Sequence, residues 1–307
     1  MDLVCYERFT ENKAIVDPTL LREGVFDNLL ENEESSVVTC CDIQKEITFE
    51  MRKIVIVWMK EVTEEQKCQL EVFLLAVNYM NRFLNICQIR RNQLQLLGTA
   101  CMLIASKLRE STPLTAKLLI FYTDNSITLF QLLQFEQLIL SKLKWDIAVV
   151  TPLDFLQRII LKISEEPVGC SSSEIDDRAK ALISYCACEH GFWRLPPSLI
   201  AASCIASALL TNVRQMKYNC QLNDVFRDIC SMTHIEMESL QMHVKYVHDM
   251  IAGSGRSTAD GRTEQADGYG TDSRKDGEFT TPPLDNAKSP LEIETATTPT
   301  DVYDIDF

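Results

Sequence analysis

Twelve cysteines and four histidines are the raw material for metal or nucleophilic chemistry, and they crowd together at Cys186, Cys188 and His190. Thiolates and an imidazole are zinc's usual ligands. Positions i, i+2 and i+4 of a helix do not share one face, however, so this spacing argues against a metal site. No CxxC pair occurs anywhere. The other histidines, His234, His243 and His248, lie in or near one helix, and nothing orders them into a nucleophile–base pair. GxGxxG, P-loop, GxSxG and HExxH patterns are absent. No catalytic residue and no cofactor is expected, and an enzyme is the least expected class.

The informative residues are charges and apolar groups in unexpected places. Glu136 has Leu132, Leu133, Ile139 and Leu140 at its helical i−4, i−3, i+3 and i+4 positions. An unpaired buried carboxylate costs several kcal/mol, so it is paired, protonated or partner-facing. Lys107 ends the run Met102-Leu103-Ile104-Ala105-Ser106 and raises the same question. The two form either an internal pair or a docking pair. Met51, Ile54, Val55 and Trp58 make one complete helical face, while Ile56 and Val57 make a second apolar side. That helix is either buried on both sides or exposes a shallow groove, where a tryptophan edge is a typical peptide anchor. Leu3-x-Cys5-x-Glu7 is a short terminal pattern of the kind that docks spaced side chains into pockets. Thr281-Pro282, Ser289-Pro290 and Thr298-Pro299 suit a proline-directed kinase, and residues 276–287 have the composition of a rapid-turnover signal. A merely solubilising tail has the same composition.

The elements that must hold these residues are helices. The chain has 307 residues, 46% hydrophobic and 24% charged, enough for a sizeable core. Its formal charge of −14 disfavours nucleic acid as a ligand. The longest apolar stretches, such as Leu94–Ala105, are interrupted by Gln95, Gly98 and Thr99, so no membrane span is expected. The first seven residues are too polar for a signal peptide. Cysteine-rich chains without export signals belong in a reducing compartment.

Residues 252–307 hold six of the ten glycines, four of the ten prolines, twelve acids and five bases. That composition predicts a disordered acidic C-terminal tail. Residues 50–251 read as almost continuous helix, in ten segments. Thr63-Glu64-Glu65-Gln66 and Thr233-His234-Ile235-Glu236 read as capping boxes opening helices, and Thr151-Pro152 as an N-cap with proline at the first position. The last helix is expected to close before Gly253. Pro18–Leu30 could form a further short helix. Ala105-Ser106 is matched by Ala206-Ser207 at an offset of 101 residues, each in a small-residue helix suited to the centre of a bundle. The expected architecture is all-α: two tandem five-helix bundles, with an N-terminal arm at 1–45, bundles at 46–150 and 151–251, and the tail at 252–307.

Several of these segments resemble the cyclin box. They are Met51-Arg52-Lys53-Ile54-Val55 with Trp58, Leu75 to Leu84, Leu94 to Ala100 leading to Ala105-Ser106-Lys107, and Glu136 followed by Lys142-Leu143-Lys144-Trp145. Glu65-Gln66-Lys67-Cys68, Ile120 to Ser126, Leu3/Cys5/Glu7 and Thr298-Pro299-Thr300-Asp301-Val302 resemble the D-type, or G1, cyclins. The resemblance implies a regulatory subunit that binds and activates a G1 cyclin-dependent kinase, directs it to retinoblastoma-family substrates and promotes the G1/S transition. Lys107 and Glu136 match the pair that grips the kinase. Met51, Ile54, Val55, Trp58 and Gln95 match the docking patch for Arg-x-Leu peptides of substrates and kinase inhibitor proteins. Leu3, Cys5 and Glu7 match the retinoblastoma-binding motif. Thr298 matches the phosphorylation site that triggers nuclear export and destruction through a ubiquitin ligase, which implies a nuclear and cytoplasmic protein. Thr281 and Ser289 are weaker candidates.

One position departs from the pattern. The family has aspartate at Asn81, paired with the arginine matching Arg52, and asparagine keeps a hydrogen bond but not the charge. Two rivals stand beside this reading: a cyclin-fold transcription regulator, and a kinase-independent adaptor for retinoblastoma protein.

Overall fold

A computed structural model describes residues 23–34, 37, 43–164, 172–213 and 219–257. Eleven α-helices cover most of them, and no strand occurs among the described residues. The first, α1 (Glu23–Glu33), precedes five helices: α2 (Phe49–Glu65), α3 (Leu70–Ile86), α4 (Leu94–Arg109), α5 (Ala116–Phe121) and α6 (Leu129–Lys142). A second set of five follows: α7 (Pro152–Ser164), α8 (Ser172–Cys188), α9 (Pro197–Val213), α10 (Asn219–Thr233) and α11 (Met237–Ser257).

Each set is built around its small-residue helix. In the first, α4 packs against α2, α3, α5 and α6; in the second, α9 packs against α7, α8, α10 and α11. Gly98, Ala100, Cys101, Ala105 and Ser106 of α4 are buried, as are Ala201, Ala202, Cys204, Ala206 and Ser207 of α9. Short side chains let neighbouring backbones approach, so one helix can touch four others. The 101-residue echo therefore marks the same structural position in both halves.

Gly98 shows how close that approach is. A Cβ added there would lie 2.9 Å from Val55 Cγ1 and 3.0 Å from Met59 Sδ, so α2 rests almost on the α4 backbone.

Four helix starts follow threonine caps, Thr48 of α2 accepting from Met51 N–H among them. Thr151 receives no help from a following glutamate, but its backbone N–H and hydroxyl both donate to Asp154 Oδ2, at 2.7 and 3.0 Å. Thr115 and Thr128 accept from the third residue of α5 and α6. The two other boxes expected from sequence are not caps. Thr63 lies inside the last turn of α2 and donates its hydroxyl to Met59 O at 3.0 Å; Thr233 lies at the end of α10 and donates to Ile229 O at 2.7 Å. Both hydroxyls are satisfied on the preceding turn, and the chain then reverses through left-handed Lys67 (φ 54) and His234 (φ 54). α3 and α11 consequently begin later, at Leu70 and Met237. The last helix also runs on past Gly253 to Ser257. Glycine lowers helix propensity by about 1 kcal/mol, which a long packed helix tolerates.

α1 precedes the first bundle in sequence but packs on α7 and α9 of the second. Phe26 meets Phe155 edge-on at 5.5 Å between ring centroids. Ser198 donates to Glu33 twice, from its backbone N–H to Oε2 and from its hydroxyl to Oε1, both at 2.8 Å. A carboxylate at the start of α9 satisfies orphan donors and opposes the helix dipole favourably.

Candidate functional site: a charged pair on an exposed apolar face

Lys107 and Glu136 meet. Lys107 Nζ stands 2.6 Å from Glu136 Oε1, across from the last turn of α4 to the middle of α6. The lysine side chain is 49% exposed and the carboxylate 12%. Lys107 ends a helix, where a cation faces the negative pole of the dipole.

The face around Glu136 is the unusual feature. On α6, Leu132, Phe135 and Ile139 point into the core. Leu129, Leu133 and Leu140 share the face of Glu136, at i−7, i−3 and i+4. Leu129 and Leu133 are 44% and 41% exposed. The glutamate therefore sits in an apolar stripe that is open to solvent, not in the core. Sequence spacing identifies the pair, but it cannot separate the buried stripe from the exposed one, because both carry leucines. Exposed Leu108 adds apolar surface beside Lys107.

The α2 face resolves differently on its two sides. Ile56, Met59 and Val62 are buried, with Arg52 and Thr63 beside them. Met51, Val55 and Trp58 are half-buried and Ile54 is 68% exposed. Gln95, half-buried on α4, lies one turn before Gly98, the point where α2 touches α4. So α2 is buried on one side and leaves an open apolar strip on the other.

Three contacts tie the start of α2 to the second bundle, and sequence reasoning alone does not find them. Lys53 Nζ pairs with Glu189 Oε1 at 2.6 Å, Phe49 packs on His190 with centroids 4.9 Å apart, and Trp193 lies 6.3 Å from Phe49. The bond to Glu189 raises the Lys53 pKa. His190 is thus part of an aromatic cluster. Cys186 Sγ lies 3.7 Å from Cys204 Sγ, and Cys188 donates to Ser184 O. The three members of that sequence cluster point to three different neighbours.

The Arg52–Asn81 contact, which asparagine in place of the family's aspartate puts in doubt, is not made through Asn81 Oδ1. Arg52 is buried, with its guanidinium 5.5 Å over the Phe49 ring. Asn81 is 3% exposed, and its Oδ1 has no hydrogen-bond partner. Leu3, Cys5, Glu7, Thr281, Ser289 and Thr298 lie outside the described residues.

Residues 24–148 match the family model for the cyclin N-terminal domain, and residues 150–266 that for the cyclin C-terminal domain. A viral cyclin from herpesvirus saimiri superposes with a TM-score of 0.62 at 27% identity, over 74% of this chain and 96% of its own. Two bundles in tandem, each around a small-residue helix, are a cyclin's architecture, and a cyclin is a regulatory protein. The chain is 36% identical over 312 residues to the G1/S-specific cyclin-D2 of Rattus norvegicus, covering all of both chains. It is 45% identical over 213 residues to the G1/S-specific cyclin-D1 of Danio rerio, covering 67% of this chain and 72% of that one. This chain belongs to the cyclin family, among its G1/S-specific D-type members.

Proposed function

We propose that this cyclin binds and activates a G1 cyclin-dependent kinase and directs it to retinoblastoma-family substrates, promoting passage from G1 to S phase. The observation that carries the reading is the Lys107–Glu136 pair on the exposed apolar face of α6. Exposed leucines give a partner helix surface to bury, and the two charges fix its register and orientation. The pair is made before any partner arrives, so neither charge stands bare on the free chain. Activation is positional: the cyclin supplies no reacting group, and holds the kinase's mobile helix so that its glutamate meets the phosphate-binding lysine.

The open strip of Met51, Ile54, Val55 and Trp58, with Gln95, is the docking patch for Arg-x-Leu peptides of substrates and kinase inhibitor proteins. Leu3, Cys5 and Glu7 carry the retinoblastoma-binding motif. Thr298, with Thr281 and Ser289 as further acceptors, governs nuclear export and capture by a ubiquitin ligase, so the protein moves between nucleus and cytoplasm. These terminal assignments rest on the resemblance of those segments to D-type cyclins.

The test is the double exchange Lys107→Glu with Glu136→Lys. It keeps an ion pair within the chain and reverses the charges presented to a partner. Circular dichroism and urea unfolding should stay within about 0.5 kcal/mol of wild type, as for a partly exposed pair. Capture of G1 cyclin-dependent kinases, and their activity on a retinoblastoma fragment, should be lost. A folded exchange variant that still binds and activates equally well makes the pair purely internal and sinks the mechanism.

A further inference from the structure

Beyond the three threonine–proline and serine–proline pairs of the tail, two more lie among the described residues: Thr112-Pro113 and Thr151-Pro152. They are opposites. Thr151 is 3% exposed, and its backbone N–H and hydroxyl are both committed to Asp154. Thr112 is exposed, as are Ser111 and Pro113 on either side. Among the described residues nothing hydrogen-bonds to Thr112, through its hydroxyl or its backbone.

Thr112 and Pro113 form the tip of the short link from α4 to α5, and the ends of that tip are pinned. Gln69 N–H donates to Glu110 Oε1 at 2.7 Å, and Leu114 N–H donates to Ser106 Oγ at 3.2 Å. A residue before proline prefers extended backbone, and exposed loops are where modifying enzymes find their substrates. Thr112 therefore offers a proline-directed kinase what Thr151 withholds.

The bond from Leu114 also decides what a phosphate would do there. It returns the chain to Ser106, the residue before Lys107. Thr112 is two residues from Leu114, at most about 7 Å along the backbone, a gap that a lysine and a phosphothreonine together span. Lys107 has a half-open side chain and one partner, Glu136. Arg109 is already held by Glu71 at 2.7 Å, and Lys117 stands exposed on α5. A phosphate brings a charge of about −1.5 to −2 and three acceptor oxygens, against the single charge of Glu136.

We propose that Thr112 is a phosphorylation site for a proline-directed serine/threonine kinase, and that its phosphate draws Lys107 away from Glu136 and weakens docking of the cyclin-dependent kinase. The Thr112 oxygen attacks the γ-phosphorus of ATP, the bond to the bridging oxygen breaks, ADP leaves, and the hydroxyl proton passes to the modifying kinase's base. Glu136 is left as an unpaired carboxylate in its apolar stripe, and the phosphate adds like charge beside it. The docking half rests on the function proposed above; the modification half does not.

Full-length protein carrying Thr281→Ala, Ser289→Ala and Thr298→Ala, which silences the tail sites, is incubated with ATP and purified mitogen-activated protein kinases, a proline-directed class. Peptide mass mapping should find phosphate on Thr112 and none on Thr151, and Pro113→Ala should abolish it. The phosphorus NMR signal should titrate at lower pH than in a phosphorylated Lys107→Gln variant, because a nearby cation favours the dianion. Capture of a G1 cyclin-dependent kinase should fall at least about tenfold on phosphorylation, while Thr112→Ala, treated in the same way, should bind as well as untreated protein. No phosphate on Thr112, incorporation that survives Pro113→Ala, a titration indifferent to Lys107, or undiminished capture would each overturn the proposal. Unmodified protein that captures no kinase at all would instead overturn the proposed function, and incorporation and titration would still judge the site.

Discussion

At the scale of single residues, Gly98 and Glu33 hold more than their size suggests. Gly98 lets α2 lie against α4 at Val55 and Met59, and Gln95 precedes it by three residues on the same helix. Gly98→Ala should push α2 away from α4. Overpacking of this kind costs about 1–3 kcal/mol. Urea unfolding would read that loss, and titration with an Arg-x-Leu peptide would read weaker docking at the same time. Unchanged stability would mean that α2 can shift without cost. Glu33 caps α9 from 165 positions away. Glu33→Ala should cost about 0.5–2 kcal/mol, as loss of an N-cap does, while Glu33→Gln keeps an oxygen for Ser198 and should cost less. Burial raises the Glu33 pKa, against the lowering effect of the Ser198 bonds. The neutral glutamine therefore avoids the desolvation that the carboxylate meets, and the ordering Ala worse than Gln is the outcome to check.

At the scale of elements, threonine decides where the chain turns. Thr63 and Thr233 are followed three residues later by Gln66 and Glu236, the spacing of a capping box. Both are buried in the last turn of a helix, and each hydroxyl takes a carbonyl of that same helix. Thr128 is exposed and does cap, with Gln131 closing the box. Thr151 is buried as well and still opens α7; what sets Thr63 and Thr233 apart is that each lies inside the helix before it, a boundary the local pattern does not contain. Thr128→Ala should therefore destabilise by about 1 kcal/mol through lost capping of α6, and with it the setting of Glu136. Helix-rich character, the two bundles and the small-residue centre were legible because they follow from composition and apolar period. The link from α2 to the α8–α9 segment was not, because Lys53 and Glu189 are 136 residues apart and each reads as an ordinary surface charge. Lys107 and Glu136 stood out because each breaks an apolar run. Asn81 stood out only against the family pattern, and the missing hydrogen bond at its Oδ1 needed the coordinates.

At the scale of the whole molecule, the core is a store of neutral thiols. Burial pushes the Cys188 thiol up to about 11, and pushes Cys101 and Cys204 well above the ordinary value of 9.0. The Tyr79 hydroxyl, buried and donating to Ile147 O, is raised as well. These groups must keep their protons for the fold to persist. In the unfolded chain the thiols ionise from about pH 9, so between there and the raised folded values the native state binds more protons. Stability should thus fall as pH rises from about 9 through 11 and beyond. Loss of the Lys53 proton, also held more tightly in the fold, acts in the same direction. Urea midpoints at pH 7, 9 and 10.5 would show the decline, and a flat profile would mean that these thiols are not buried in solution.

The placement of α1 has a consequence for the order in which the protein is made. Its partners, α7 and α9, lie far downstream, and the Ser198 that Glu33 holds is synthesised 165 residues later. At ribosomal speeds of about 5–20 residues per second, the two are separated by roughly 8 to 33 s. Through most of that interval Phe26 has no Phe155 to meet, and the first bundle can close without it. The first of the described helices is therefore seated late, and its docking reports that α7 and α9 have been made.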